Sequence, residues 1–364
     1  MKLSLKPSIN WLLIFIPASV ALERAHVPAP VLFFAAALAI VPIARLIVLS
    51  TEQLASRAGD AIGGLLNATF GNAPELIIGL VALQAGYFDM VRASLIGAIL
   101  ANLMLATGVA FFLGGLRFHT QEFNAGVARL YSSMMLIAAL ALGVPSAFNR
   151  FFSPDGTIHE ERIVNVGTTV VLLAAYVLYL VFLLKTHPEF FASVAGKGAD
   201  HEDEGQRWGL GTAIGSLVGA SVLAAWMSEI LVGAAEGTGK ALGMSEVFIG
   251  IVFLALIGGA AESGSAIAMA RKNKLDLTVG IAMGSSIQIA LFVAPMLVLA
   301  SRFVAPQPFE LAFTRAEIGT LFLGALVGTI VVGDGHSNWY KGVELMLVYA
   351  MIAILFYFLP AGAH

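Results

Sequence analysis

Apolar residues run along this chain in stretches of about twenty, separated by short polar breaks, the length a helix needs to cross the hydrocarbon core of a bilayer. The pattern predicts eleven spans, at approximately 9–23, 29–49, 61–86, 91–115, 125–147, 163–185, 209–234, 246–270, 275–300, 315–333 and 341–360. The chain therefore reads as an all-α integral membrane protein of about eleven transmembrane helices. If the N-terminus is cytoplasmic, the inside connections collect most of the basic residues, among them Arg57, Arg117, Arg129, Arg271, Lys272 and Lys274. The bias of Lys and Arg toward the inside favours that orientation, and an odd number of crossings puts the C-terminus outside. One connection differs: residues 187–208 carry Glu189, Asp200, Glu202, Asp203 and Glu204 against Lys197 and Arg207. It reads as a solvated acidic cytoplasmic loop between two halves, or as a cation sensor.

Composition agrees and narrows the function. Hydrophobic residues make up 59% of the 364 and charged ones 12%, whereas a soluble domain carries about a quarter charged residues. A formal net charge of -3 offers no basic surface for nucleic acid. Cysteine is absent, which removes disulfides, thiolate metal sites and cysteine catalysis.

Shifting the chain by 187 positions lays "GNAPELIIGLVALQAGYFDM" onto "GGAAESGSAIAMARKNKLDL". Gly71, Glu75, Asp89 and Gly97 fall on Gly258, Glu262, Asp276 and Gly284. The copies lie in predicted helices 3 and 8, and an odd-to-even change reverses their direction across the bilayer. The organisation predicted is an N-terminal helix (1–28), a five-helix repeat (29–186), the acidic loop (187–208) and a second, inverted five-helix repeat (209–364). Such inverted pairs, broken at matching points, place a substrate near the midplane.

Glu75 and Glu262 lie near the middle of their spans, out of reach of either interface. A central charge costs about 2.5 to 3.5 kcal/mol on insertion scales, so it needs compensation. Gly71 with Pro74, and Gly258 with Gly259, loosen the helical ladder and free carbonyls, which is tolerated where protein or a wet cavity satisfies them. Two carboxylates, freed carbonyls and the Asn72 amide make an all-oxygen site suited to hard divalent cations such as calcium, with water completing the shell. Zinc and copper are disfavoured without thiolates or clustered His, while manganese is not. Asn102, Ser285, Ser286 and Gln288 add polarity to the following helices, and Ser285 and Gln288 share a helix face. A lone intramembrane glutamate, Glu229 or Glu344 among them, has the minority alternative of being a protonated acid buried and hydrogen-bonded against a neighbouring helix. Once the ion leaves the pair, burial and like-charge repulsion favour the neutral forms, so protons can take its place.

These motifs resemble the cation/proton exchangers of the calcium/cation antiporter superfamily. The likeness is carried by "GDAIGGLLNATFGNAPELIIGL", "GGAAESGSAIAMA" with "GSSIQIALFVAP", and "DGHSNWYKGVELMLVYAMIAILFYF". It implies that Glu75 and Glu262 bind Ca2+ and carry the exchanged H+, with carbonyls near Gly71 and Gly258 as further ligands. It also implies that Asn72, Ser285 and Gln288 line the cavity, and that the acidic loop modulates activity. In sodium-coupled relatives an acidic residue usually occurs in the helix after the second repeat; that region here offers Gln288 instead, which favours proton coupling. The chain departs from the family pattern at Gly259 and Ser263, where Asn and His are usual, and at Ala98 and Ala101, where small hydroxyl residues are usual. No organic cofactor is implied, and a prokaryotic plasma membrane is the expected location.

Within the family, Na+/Ca2+ or Mn2+/H+ exchange is the alternative. Outside it stand a passive cation channel and an intramembrane aspartyl protease. Channels usually assemble identical filter segments rather than two unlike, opposed repeats. The protease motif is missing, since Val332 stands where glycine is required in "VVGDGH".

Overall fold

A computed structural model describes residues 9–149, 157–187 and 208–359, and these are almost entirely helical. A 3-10 stretch, Ile9–Ile14, leads into α1 (Phe15–Arg24). It is followed by α2 (Ala29–Phe70) and, after a two-residue break, α3 (Ala73–Gln84). Next come α4 (Phe88–Leu100) and α5 (Thr107–Phe118), joined by π-helix over Ala101–Ala106, then α6 (Ala125–Ala147) and α7 (Ile158–Val181). The second half holds α8 (Leu210–Leu242), α9 (Glu246–Gly258) and α10 (Ala260–Arg271). It continues with α11 (Leu275–Gln288), π-helix over Ile289–Val293, α12 (Ala294–Val304), α13 (Arg315–Val332) and α14 (Trp339–Phe358). Two short strands, β1 (Thr120–Glu122) and β2 (His336–Asn338), pair antiparallel and tie the end of α5 to the start of α14.

Local chemistry sets these boundaries. Thr157 and Thr314 each cap a helix and receive a reciprocal carboxylate from Glu160 and Glu317, while Asn124 and Asn338 cap α6 and α14. Gly243 ends α8 in the left-handed conformation that glycine adopts without steric cost. Charged and polar side chains gather at the ends: Lys341 donates to Asp334 and to two carbonyls, and Asp89 pairs with Arg92.

Eight helices among the described residues are long and apolar enough to cross a membrane, nine with the bent pair α9–α10 counted as one span. The expected count of eleven is thus not reached by length and apolarity. Residues 9–24 are split and short, and α3 is a twelve-residue segment. The predicted break near residue 50 is also absent. The polar stretch "STEQLASRAG" continues α2 as helix for 42 residues, because its residues are helix-compatible and nothing in it stops the ladder. The chain breaks instead at residues 71 and 72. The acidic loop falls outside the described residues apart from its ends, where the Trp208 N–H donates to Gln53 Oε1 at 3.1 Å and its carbonyl accepts from Arg57 of α2.

Contacts at the ends fix the helix directions. Tyr87, just after α3, reaches Glu236 near the end of α8 at 3.5 Å, on the face where α9 begins. Arg117, at the end of α5, donates to the Arg271 carbonyl at the end of α10 at 3.1 Å, on the opposite face. So α3 ends where α9 begins, and α3 and α9–α10 run in opposite directions. Two apolar clusters pack around them: one holds much of α2 and α8, the other is centred on α4, α6, α11 and α12. Glu229 of α8 and Glu344 of α14 are exposed, which removes burial of a protonated acid as an account of either.

Candidate functional site

The two breaks put both mid-chain acids in equivalent places. Asn72 is the N-cap position of α3 and Glu75 lies in its first turn; Gly259 is the N-cap position of α10 and Glu262 lies in its first turn. The second break bends the chain by 59°. Pro74 does not interrupt a helix, as the sequence suggested; it sits in the first turn of α3, where its missing N–H is not needed. Helix N-termini aim unpaired N–H groups and positive dipole ends toward whatever lies beyond them.

The acids pack reciprocally across the halves. A Cβ placed on Gly258 would lie 2.9 Å from Glu75 Cγ, and one placed on Gly71 would lie 3.4 Å from Glu262 Oε1. Each acid therefore lies against the other half's glycine, and at Gly258 the approach is close enough that a larger residue would block it.

Around Glu262 the polar side chains form a connected network. Ser285 donates to Glu262 or to Asn72 Oδ1 (3.0 Å), and accepts from Asn102 Nδ2 at 3.1 Å. Its single proton serves one acceptor at a time. Asn72 Nδ2 in turn donates to Gln288 Oε1 at 2.5 Å. Asn72, Asn102 and Ser285 are buried, so in this setting the network must be satisfied internally. The shared face of Ser285 and Gln288 holds, since both meet Asn72. Ser286 points away, donating to the carbonyl of Ala282 (2.9 Å) or of Ile99 (3.4 Å).

Glu75 differs. Both its carboxylate oxygens are buried and no side chain among the described residues donates to either. It borders a small cavity of about 10 Å³, room for about one water, lined by Ser94, Leu95 and Ala98 among others. Ser94 escaped the sequence reading, because its approach to Glu75 depends on how α4 packs beside α3. Gln121 escaped it as well. Gln121 Nε2 donates to the Ala270 carbonyl at 2.9 Å and to Asn273 Oδ1 at 2.7 Å, stapling the far end of Glu262's helix to β1.

Every predicted site residue, Gly71, Asn72, Glu75, Gly258, Glu262, Ser285 and Gln288, thus gathers at one place. Its donors are all oxygens or amides, and no group of three or more His, Cys, Asp or Glu converges anywhere among the described residues. A site with two carboxylates and neutral oxygens suits a hard cation that keeps part of its water. Asp334, the acid considered for proteolysis, lies at the turn between α13 and β2, half-exposed and paired with Lys341 at 2.6 Å.

Residues 28–185 and 212–358 match the model of the family described as sodium/calcium exchanger protein. The chain is 39% identical over 345 residues to the Ca(2+)/H(+) antiporter ChaA of Bacillus subtilis (strain 168), covering 94% of this chain and 97% of that one. It is 37% identical over 361 residues to a Ca(2+)/H(+) antiporter of Aphanothece halophytica, covering 96% of each. Among solved structures, native YfkE superposes with a TM-score of 0.83 at 36% identity, covering 97% of this chain and all of that one.

Proposed function

The chain belongs to the sodium/calcium exchanger protein family, and from that premise we propose that it is a secondary active antiporter that moves Ca2+ out of the cytoplasm in exchange for H+. The observation that carries the reading is the reciprocal seating of Glu75 on Gly258 and of Glu262 on Gly71, which joins one acid from each half in a single site. Two carboxylates confined there need compensating positive charge, and either one divalent cation or protons supply it. An access switch that turns only when the pair is neutralised then exchanges one for the other.

Asn72, Ser285 and Gln288 orient the Glu262 side and offer neutral oxygens, and carbonyls near Gly71 and Gly258 add ligands. The matched breaks before Glu75 and Glu262, and the opposed directions of α3 and α9–α10, support two inverted repeats, 29–186 and 209–364, after an N-terminal helix. Basic residues at the end of α10 and in the loop after it, Arg271, Lys272 and Lys274, support a cytoplasmic N-terminus in a plasma membrane.

In inverted vesicles an imposed pH gradient should drive Ca2+ uptake, and its collapse should abolish it. Glu75→Gln and Glu262→Gln should each eliminate uptake while the protein remains in the membrane at normal abundance. Uptake that survives collapse of the gradient indicates a channel, uptake that follows a sodium gradient indicates Na+/Ca2+ exchange, and transport retained by either variant overturns the site.

A further inference from the structure

The 187-residue shift relates the site's two acids, but it does not relate their surroundings. Glu262 corresponds to Glu75, Ser285 to Ala98, Gln288 to Ala101, and Asn72 to Gly259. Every polar member of the network beside Glu262 therefore has an apolar or bare counterpart beside Glu75. The structure agrees in space: Ala98 lines the cavity against Glu75, and Gly259 approaches Glu75 Oε1. Glu262 has a side-chain donor, and Glu75 has none among the described residues.

Backbone demands do not explain the glycine at 259. Its φ of -77° and ψ of 6° are close to the -93° and 20° of Asn72, the same junction in the other half, and an L-residue adopts them without strain. A Cβ there would meet the Ala255 carbonyl at 3.4 Å, Asn102 Oδ1 at 3.6 Å and Glu75 Oε1 at 3.7 Å, which are ordinary contacts. Gly258, one residue earlier, is the position that space requires. An asparagine at 259 would fit, and its amide would start within reach of the oxygen of Glu75 that now has no side-chain donor.

We propose that Gly259, with Ala98 and Ala101, sets ion selectivity: Ala98 lacks the hydroxyl that Ser285 offers Glu262, and Gly259 and Ala101 lack the amides that Asn72 and Gln288 place around that hydroxyl, so Glu75 is left free to adjust to divalent cations of different radius. Selectivity among hard cations follows ligand number, cavity size and ligand mobility. One acid of the site is oriented and the other is loose. The loose one swings between one-oxygen and two-oxygen ligation and follows the ion, so cations smaller and larger than Ca2+ compete well. This builds on the exchanger reading above.

The test compares the wild-type protein with Gly259→Asn and with Gly259→Asn/Ala98→Ser in inverted vesicles. Proton-driven 45Ca2+ uptake is titrated with Mn2+ and with Sr2+ as competitors. Tying Glu75 with one hydrogen bond should weaken both competitors relative to Ca2+ by about 3- to 10-fold, and the double variant should extend the shift. Ser285→Ala, which loosens the other acid, should move the ratios the opposite way. A thermal shift of the detergent-purified protein by each ion reads the same ratios without transport, so an inactive variant still reports. Ratios unchanged in Gly259→Asn by both readouts overturn the proposal. Absence of proton-driven Ca2+ uptake by the wild-type protein overturns the exchanger reading instead, and the two failures are separate.

Discussion

Gly258→Ala tests the packing on which the site depends. The added Cβ would lie 2.9 Å from Glu75 Cγ, 3.4 Å from its Cδ and 3.6 Å from its Cα. Carbon atoms rest about 3.5 to 4.0 Å apart, so the closest pair is short by roughly 0.6 to 1.1 Å. The side chain of Glu75 must swing off the glycine, or the start of α3 must back away from α9. Overpacking of this kind costs about 1 to 3 kcal/mol, which is roughly 5- to 150-fold in an equilibrium constant. If the carboxylate moves, the loss falls on the Ca2+ concentration for half-maximal uptake. If the helix moves, it falls on the melting temperature in detergent. Both should be measured on the same preparation, beside Gly259→Ala. That neighbouring methyl meets nothing closer than 3.4 Å and sits at an ordinary φ, so its summed loss should be clearly the smaller. A Gly258→Ala protein matching wild type in half-saturation and in melting temperature would refute the seating of Glu75 on the second half.

Two further outcomes test the frame around the site. Gln121→Ala removes both bonds that hold the end of α10 and leaves the Ala270 carbonyl without that donor, so it should destabilise the protein by about 1 to 3 kcal/mol. A melting temperature equal to wild type would show that the staple contributes nothing. Lys341→Met addresses Asp334, whose carboxyl burial pushes up. Hydrogen bonds from Lys341 and the His336 N–H, with the charge of Lys341, outweigh burial and hold it below its ordinary 3.8. A depressed carboxyl stabilises the fold above its unfolded value and loses that contribution as pH falls through the folded one. The variant should therefore melt lower than wild type near neutral pH, with the gap closing below about pH 3.8; a gap independent of pH would refute the pairing.

Much of this site could be read along one dimension. Duplicated acids in apolar context, each preceded by small residues, marked the pair because a mid-bilayer charge is too costly to keep without a use. Ser285 and Gln288 were legible as a pair because helical spacing alone puts them on one face. The connections between them were not. That Ser285 serves Glu262 and Asn72, or that Gly71 carries Glu262 and Gly258 carries Glu75, depends on which helices cross and at what height. Hydropathy also misplaced one boundary. It separates apolar from polar, whereas a helix stops where its backbone ladder stops, and α2 runs through a polar stretch before breaking at residues 71 and 72.

By itself, then, the order of residues determined a membrane-embedded helical protein and singled out two acids in matching sequence contexts, because burial cost and periodicity are local and additive along a chain. Only the tertiary structure decided that the halves are unequal. A hydrogen bond needs its partner within about 3 Å, and whether Asn72, Ser285 and Gln288 link into one network that donates to Glu262 through Ser285, while Gly259, Ala98 and Ala101 leave Glu75 without a side-chain donor, is settled by packing between distant segments, not by spacing within any one of them.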